Sequence, residues 1–240
     1  MSSTQRLDKF IANATDFSRS QIKRAIGKGM VTVNGEIIRS PAHHIHASDE
    51  VVVEGRRVRE HQPRYIMMNK PSGYICATEG DIHPCVLELL DIENRAALHT
   101  AGRLDVDTTG LVLITDDGQW SHQITSPKRA CNKVYQATLA EPVEESAIAL
   151  FAEGVQLKSE DRPTLPAKLV IKTPQSVELT LQEGRYHQVK RMFASLGNKV
   201  ETLHRVQIGQ IRLDPELVPG QWRYLTEKEI QLDKTDEKVL

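Results

Sequence analysis

The hydrophobic pattern of the first thirty residues predicts two short helices. Over residues 5–14 the apolar side chains recur at i, i+3, i+4 and i+7, which is the spacing of one buried helical face. Ser18 and Gln21 have the spacing of a capping box, in which the side chain of each residue bonds the backbone N–H of the other. This pair predicts the start of a second helix, and we expect Gly27 to end it.

After these helices the pattern changes to short β-branched runs. Asn34 and Gly35 lie between two such runs, and this dipeptide predicts the two-residue turn of a hairpin. Residues 49–53 predict one further strand. The next stretch, residues 54–64, is charged and polar, and we interpret it as a linker.

This boundary divides the chain into a first domain of residues 1–58 and a larger domain of residues 59–240. The larger domain has the pattern of a sheet with helices outside it. Its strands are predicted over residues 65–69, 111–115, 133–139, 168–171, 176–181, 199–206 and 222–225. Helices are predicted over residues 119–126 and 146–153 and after a basic turn at residues 184–187. We therefore expect an α+β fold with a mostly antiparallel sheet.

Charge is distributed unevenly between the two domains. The whole chain has a net charge of −1, yet residues 1–59 contain ten basic and six acidic residues. The remainder of the chain is therefore acidic. A small basic domain joined to an acidic one suggests that the small domain docks on a polyanion such as a nucleic acid.

Several kinds of protein and site are disfavoured. No apolar run approaches the roughly 20 residues that span a bilayer, and the first residues lack the apolar segment of a secretory signal, so we expect a cytoplasmic protein. The three cysteines are far apart, as reduced thiols are. His43, His44 and His46 have no further ligands spaced to complete a metal site, and we expect no bound metal. With no sustained exposed apolar stripe, we expect a monomer.

The richest chemistry lies just before the apolar run of residues 111–115. Arg103, Asp105 and Asp107 form a charged loop that leads into this predicted buried strand. Two-metal catalysis is disfavoured because the adjacent cation competes with a metal for the carboxylates. Asp107 fits a residue that caps the turn. For Asp105, turn capping and a reactive carboxylate fit the residues equally well.

The two predicted helices, the V-T-V-N-G hairpin at residues 31–35 and the D-E-V-V strand at residues 49–52 resemble the S4 RNA-binding domain. The resemblance covers about residues 4–55. It implies that the basic face of the helices binds RNA phosphates. The matching candidates are Arg6, Lys9, Arg19, Lys23, Arg24 and Lys28.

Four motifs follow in the larger domain: K-P-x-G at residues 70–73, G-R-L-D-x-D-T-T-G-L at 102–111, K-x-Y at 133–135 and G-R-Y-H-Q-V-K-R-M-F at 184–193. In this order they resemble the pseudouridine synthases, in particular the branch that carries an S4 domain. The resemblance implies a mixed, mainly antiparallel sheet flanked by helices. It further implies isomerisation of a specific uridine in 16S rRNA to pseudouridine, with no cofactor.

The resemblance also implies roles for individual residues. Asp105 would be the nucleophile, attacking either C1′ of the ribose or the uracil ring of a flipped-out base. Lys190 would be its basic partner, with Arg191 as a second candidate. Tyr135 would stack on the uracil, and Leu203 would form the apolar floor beneath it.

The remaining candidates would contact RNA, and they are Lys70, Arg103, Arg185, His187 and Arg205. For Lys70, at the end of a predicted strand, a structural turn and a functional loop fit equally well. The implied partner is 16S rRNA or a small-subunit assembly intermediate. Two alternatives remain: a synthase that acts on 23S rRNA, and a non-catalytic S4-type RNA-binding assembly factor.

Overall fold

The computed structural model describes residues 4–15, 17–59, 62–78, 80, 82–126 and 131–231. The chain forms two compact units, Met1–Pro63 and Arg64–Leu240. Each unit has a hydrophobic core of its own. Within the described residues, no helix is both long enough and apolar enough to cross a membrane.

The two helices of the first unit confirm the hydrophobic pattern. They are α1 (Leu7–Ala14) and α2 (Arg19–Gly27). In the capping box before α2, the backbone N–H of Ser18 donates to Oε1 of Gln21 at 2.8 Å, and the N–H of Gln21 donates to Oγ of Ser18 at 3.3 Å. The apolar faces of both helices are buried in the core of this unit.

Six short strands complete the first unit. A pairing that the pattern did not predict joins β1 (Thr4–Arg6) to β4 (His44–His46). An antiparallel sheet in the order β3-β2-β5-β6 consists of β2 (Val31–Val33), β3 (Glu36–Ile37), β5 (Val51–Val53) and β6 (Arg56–Val58). Asn34 and Gly35 both have positive φ, 51° and 86°, as the predicted hairpin turn requires.

The linker interpretation was wrong for residues 54–58. Glu54 and Gly55 have φ of 52° and 78° and form a second hairpin turn, between β5 and β6. Val58 of β6 is buried in the core, whereas the two arginines before it are exposed. A three-residue strand with a single buried side chain has the composition of a linker, which explains the error.

The second unit is built on one nine-stranded sheet. Its strands are β7 (Tyr65–Lys70), β8 (His99–Thr100), β9 (Thr109–Thr115), β10 (Lys133–Leu139), β11 (Lys168–Thr173), β12 (Ser176–Leu181), β13 (Val200–Ile208), β14 (Ile211–Arg212) and β15 (Trp222–Tyr224). The main order is β11-β12-β10-β13-β9-β7-β15, with β8 beside β9 and β14 beside β13. Among the strands of this sheet in the described residues, only β9 and β13 pair in parallel, so the prediction of a mixed, mainly antiparallel sheet is confirmed.

Helices cover both faces of the central strands. Alternate residues of β7 enter different cores, with Met68 in one and Met67 in the other. This two-sided burial explains why β7 and β9 are continuous apolar runs rather than alternating ones. The helices are α3 (Gly118–Thr125), α4 (Ser146–Glu153), α5 (Gln188–Ser195) and α6 (Glu227–Ile230), with 3-10 turns at Val86–Leu89 and Arg95–Ala97.

The parallel pairing of β9 with β13 requires a glycine. Gly110 is paired with Arg205 and has φ of 101°. A Cβ at this position would lie 2.3 Å from the carbonyl oxygen of Arg205 and 2.8 Å from its nitrogen. Only glycine allows the two backbones to approach this closely. The contact fixes the start of β9, directly after the charged loop.

Candidate active site

The charged loop lies between β8 and β9 and is held from beneath by a buried lysine. Its central turn is closed by a hydrogen bond of 3.1 Å from the N–H of Thr108 to the carbonyl of Asp105. Nζ of Lys70 donates to the carbonyls of Thr108 (2.6 Å), Pro71 (3.1 Å) and Val106 (3.2 Å). The turn that carries Asp105 is therefore fixed to the end of β7.

A buried arginine holds the other end of the same loop. Nε of Arg205 donates to the carbonyl of Leu111 at 2.9 Å, and Nη1 donates to the carbonyl of Arg103 at 3.3 Å. The N–H of Leu104 also donates to Sγ of Cys76, whose pKa is raised by burial. Backbone carbonyls of the loop thus have cationic donors at both of its ends.

The expectation that Lys70 contacts RNA was wrong, because its side chain is fully buried and Nζ donates to backbone carbonyls. Arg205 is 2% exposed and uses Nε and Nη1 on the backbone, whereas its buried Nη2 has no hydrogen-bond partner within the described residues. Because Arg205 also lines the cavity described below, its contact with RNA stays a prediction. Burial lowers the pKa of Lys70, because the ammonium is taken out of water. For Lys70, position at a strand end indicated a projecting side chain, but the charged loop folds back over it.

A cavity of about 490 Å³ opens beside the loop, and Asp105 lines it. Tyr135 and Leu203, both buried, also line this cavity from β10 and β13. Tyr135 is paired with Arg205 across the strands, and the guanidinium carbon lies 6.0 Å from the centre of its ring. The structure therefore brings together the carboxylate, the tyrosine and the apolar floor that the motifs predicted.

Two basic side chains face the carboxylate of Asp105. Nε2 of His187 lies 3.6 Å from Oδ1, and Nζ of Lys190 lies 3.6 Å from Oδ2. Nζ of Lys190 lies closer to Asp107, at 2.6 and 2.8 Å from its two carboxylate oxygens. This contact holds the pKa of Asp107 below its usual range. Asp107 therefore has a more specific role than the turn capping that its spacing suggested.

Arg185 and Arg191 are both engaged in contacts within the protein. Arg185 donates to the carboxylate of Glu183 (3.1 Å) and to two backbone carbonyls (2.8 and 2.6 Å). Arg191 donates to the carboxylate of Glu160 (2.8 Å) and likewise to two carbonyls (2.7 and 3.1 Å). Both guanidinium groups fasten the loop before α5 to the protein. Arg191 is consequently no second basic partner for the nucleophile candidate.

Three further residues complete the cavity wall. Arg103 is exposed at its rim, and its guanidinium has no partner within the described residues. Lys133 and Tyr186 also line the cavity, and the sequence analysis did not select them as site residues. Burial lowers the pKa of Lys133. The K-x-Y spacing contained the signal, because strand alternation places Lys133 and Tyr135 on the same face of β10.

The first unit presents a separate group of basic side chains. Within the described part of the chain, five exposed residues in or directly after the two helices have no ion-pair partner: Lys9, Arg19, Lys23, Arg24 and Lys28. Arg6 differs, since its guanidinium binds Asp8 at 2.7 Å. The histidines of residues 43–46 form no metal-binding group, and the same holds for all other described residues.

Comparison with known proteins defines the family. Residues 64–195 match the family model of RNA pseudouridylate synthases, and residues 5–51 match the S4 domain. The chain belongs to the RNA pseudouridylate synthase family. It is 53% identical over 226 residues to the ribosomal small subunit pseudouridine synthase A of Escherichia coli (strain K12). The match covers 94% of this chain and 98% of that protein.

Further relatives agree with this assignment. The enzyme of the same name from Haemophilus influenzae is 51% identical over 227 residues, covering 94% of the synthase and 98% of that protein. A crystal structure of a pseudouridylate synthase has 51% sequence identity and a TM-score of 0.70, covering 95% of this chain and 98% of that chain. The predicted S4 domain, α+β fold and enzyme class are confirmed.

Proposed function

We propose that this synthase converts a uridine of 16S rRNA to pseudouridine, with Asp105 as the nucleophile. One observation carries the catalytic assignment: the carboxylate of Asp105 lines a cavity with Tyr135 and Leu203, and Lys190 lies 3.6 Å from it. The choice of 16S rRNA is supported by the names of relatives that are 50–53% identical over 94% of the chain. Since ribosomal RNA is a cytoplasmic substrate in bacteria, we place the enzyme in the cytoplasm. In this proposal it acts as a monomer.

The reaction requires one glycosidic bond to be exchanged for another. The bond from N1 of uracil to C1′ breaks, the base rotates, and C5 bonds to C1′. C5 then loses its proton and N1 carries one, so the overall change is an isomerisation that needs no redox cofactor. Asp105 adds to C1′ or to the uracil ring, and leaves again as the product forms.

The neighbouring side chains support each step. The ammonium of Lys190 places a positive charge 3.6 Å from the carboxylate of Asp105. Tyr135 stacks on the uracil. Leu203 forms the apolar floor of the cavity beneath the base. The base has to leave its helical stack, which costs a few kcal/mol. Arg103, exposed at the rim, is suited to fill the vacated space or to bind the phosphate.

RNA docking is assigned to the first unit and to the rim of the cavity. The exposed side chains of Lys9, Arg19, Lys23, Arg24 and Lys28 bind backbone phosphates without reading sequence. His187 contributes at the rim beside Asp105. The partner in this proposal is 16S rRNA or a small-subunit assembly intermediate.

A tritium-release assay tests the catalytic assignment. With 16S rRNA tritiated at C5 of uridine, wild type releases tritium and Asp105→Asn lowers the rate at least about a thousandfold, as expected when a covalent nucleophile is lost. Equal release by Asp105→Asn would refute the role of Asp105. No release by wild type, with RNA binding intact, would instead favour a non-catalytic assembly factor.

A second experiment tests the substrate. Pseudouridine is mapped in the rRNA of a strain that lacks the gene, with a complemented strain as control. Loss of one 16S site, restored by complementation, is expected. If a 23S site is lost while 16S is intact, the alternative of a large-subunit enzyme is correct.

A further inference from the structure

An exposed aromatic ring stands at the rim of the cavity. Tyr186 has an exposed fraction of 76% and lines the cavity beside the loop that carries Asp105. Its ring stacks on the imidazole of His187, with centroids 3.8 Å apart and planes inclined by 19°. Nε2 of the same imidazole lies 3.6 Å from Asp105. The tyrosine ring is thus connected to the nucleophile candidate through one intervening side chain.

The backbone around this ring is held in an uncommon conformation. His187 has φ of 47° and ψ of 35°, in the left-handed region that costs non-glycine residues free energy. Three hydrogen bonds enforce it: Arg191 donates to the carbonyl of Tyr186 (3.1 Å), the N–H of Arg191 donates to the carbonyl of His187 (3.0 Å), and buried Gln188 accepts from the N–H of Arg185 (2.9 Å). The loop is fixed before any ligand arrives.

This arrangement contributes little to the core. One face of the Tyr186 ring is covered by His187, while most of the ring is exposed to water. The phenolic hydroxyl has no hydrogen-bond partner within the described part of the chain. A strained backbone that presents a large ring to solvent, at the edge of a reactive cavity, is explained by a ligand that covers the ring.

We propose that Tyr186 is a stacking platform for an unpaired base next to the target uridine. The proposal rests on the proposed function, in which the uridine itself enters the cavity over Tyr135. A neighbouring nucleotide then lies at the rim, where Tyr186 offers an aromatic face and Arg103 offers positive charge to the connecting phosphate. Every base has a π-face, so an aromatic ring on a fixed loop binds it with little ordering cost.

Fluorescence titration and steady-state kinetics test the platform. The RNA is a 16S fragment in which 2-aminopurine replaces the nucleotide on either side of the target in turn. Wild type quenches one of the two probes on binding, and Tyr186→Leu, which keeps an apolar side chain but no ring, does not. Tyr186→Leu raises KM roughly 5- to 150-fold, as expected when one base no longer stacks, and lowers kcat by less. Tyr186→Phe, the matched aromatic control, behaves like wild type.

An abasic RNA makes the test independent of folding and of catalysis. Wild type binds the abasic RNA more weakly than the intact RNA by the same factor that Tyr186→Leu loses on the intact RNA. Tyr186→Leu binds the abasic and the intact RNA with equal affinity. The platform is refuted if wild type and Tyr186→Leu bind the intact and the abasic RNA with one and the same affinity. It is also refuted if the loss from the substitution and the loss from the missing base simply add. Failure of the proposed function is distinguishable, because wild type then releases no tritium from the 16S fragment, whereas failure of the platform alone leaves that release intact.

Discussion

Lys190 binds Asp107 more closely than it binds Asp105. Its Nζ lies 2.6 and 2.8 Å from the carboxylate of Asp107 and 3.6 Å from the nearest oxygen of Asp105. A single ammonium therefore serves two carboxylates that are two residues apart. The shorter contact holds the ammonium on the side of Asp107. We interpret Asp107 as a residue that positions Lys190.

Separate substitutions of the two partners should differ in effect. Lys190→Met removes the cation from both carboxylates and should lower the single-turnover rate roughly a hundredfold, about 2.7 kcal/mol. Asp107→Asn retains the cation but removes the carboxylate that positions it, and should cost less than tenfold. In Lys190→Met the pKa of Asp107, measured by carbon NMR, should rise to the usual range of aspartate. A loss in Asp107→Asn as large as in Asp105→Asn would contradict this division of roles.

Lys70→Met should damage both stability and activity. The methionine fills the space of the lysine stem but leaves the carbonyls of Pro71, Val106 and Thr108 without their donor. We expect unfolding by urea to show a loss of about 2–4 kcal/mol, and the rate of the folded variant to fall because the turn is no longer held. Lys172→Met, on an exposed position of β11, is the control and should leave both unchanged. Wild-type stability in Lys70→Met would show that the buried ammonium does not hold the turn.

Gly110→Ala should destabilise the second unit. The added Cβ would lie 2.3 Å from a backbone oxygen, at φ of 101°. Neither strand can move without breaking the pairing of β9 with β13, so we expect a loss above about 2 kcal/mol. Gly118→Ala, where a Cβ meets no atom within 4 Å, is the matched control. Equal melting temperatures for the two variants would rule out the close approach.

The C-terminal ion pair should give a defined pH dependence. Arg223 binds Glu229 through two hydrogen bonds of 3.0 and 2.9 Å, which lower the pKa of Glu229 to about 2. Stability from this pair is present above the unfolded pKa of about 4.5 and is lost as pH falls toward 2. Glu229→Gln should therefore lower the unfolding free energy at pH 7 by about 1 kcal/mol, allowing for solvent screening. The difference between wild type and variant should shrink between pH 5 and pH 3; a constant difference would contradict the shift.

The basic helical face should determine the salt dependence of RNA binding. Replacing Lys23 and Arg24 together by glutamine removes two exposed charges of the first unit. The slope of log affinity against log salt should fall by roughly 0.7–0.9 for each phosphate that the protein no longer neutralises. A pair of exposed lysines on β11, Lys168 and Lys172, provides a control in the second unit. An unchanged slope for the first variant would remove the docking role from this face.

Local sequence patterns predicted the elements well and the long-range side-chain contacts poorly. The capping box of α2, the Asn34-Gly35 hairpin and the strand Lys133–Leu139 are all confirmed, because each depends on residues close in sequence. Lys70 and Arg205 were assigned to the surface, although both are buried. Their partners are backbone carbonyls of a loop more than thirty residues away. No periodicity contains that information.

In charged motifs, the sequence did not distinguish side chains that stabilise the fold from side chains that face the cavity. Within one basic run, Arg185 and Arg191 fasten a loop while Lys190 faces Asp105. The residue types are nearly identical, and only the direction of each side chain distinguishes them. That direction depends on the turn of α5 and on Glu160, which lies about thirty residues earlier.

The hydrogen bonds from Arg205 of β13 to the charged loop have a consequence for protein synthesis. Arg205 reaches back 94 positions along the chain to the carbonyl of Leu111, and its strand supplies the parallel neighbour of β9. A nascent chain that has not yet emerged as far as β13 contains Asp105 but lacks the guanidinium that organises the loop around it. The structure around Asp105 is therefore complete only after β13 has been synthesised, and chains truncated before β13 should be inert toward the RNA that surrounds them.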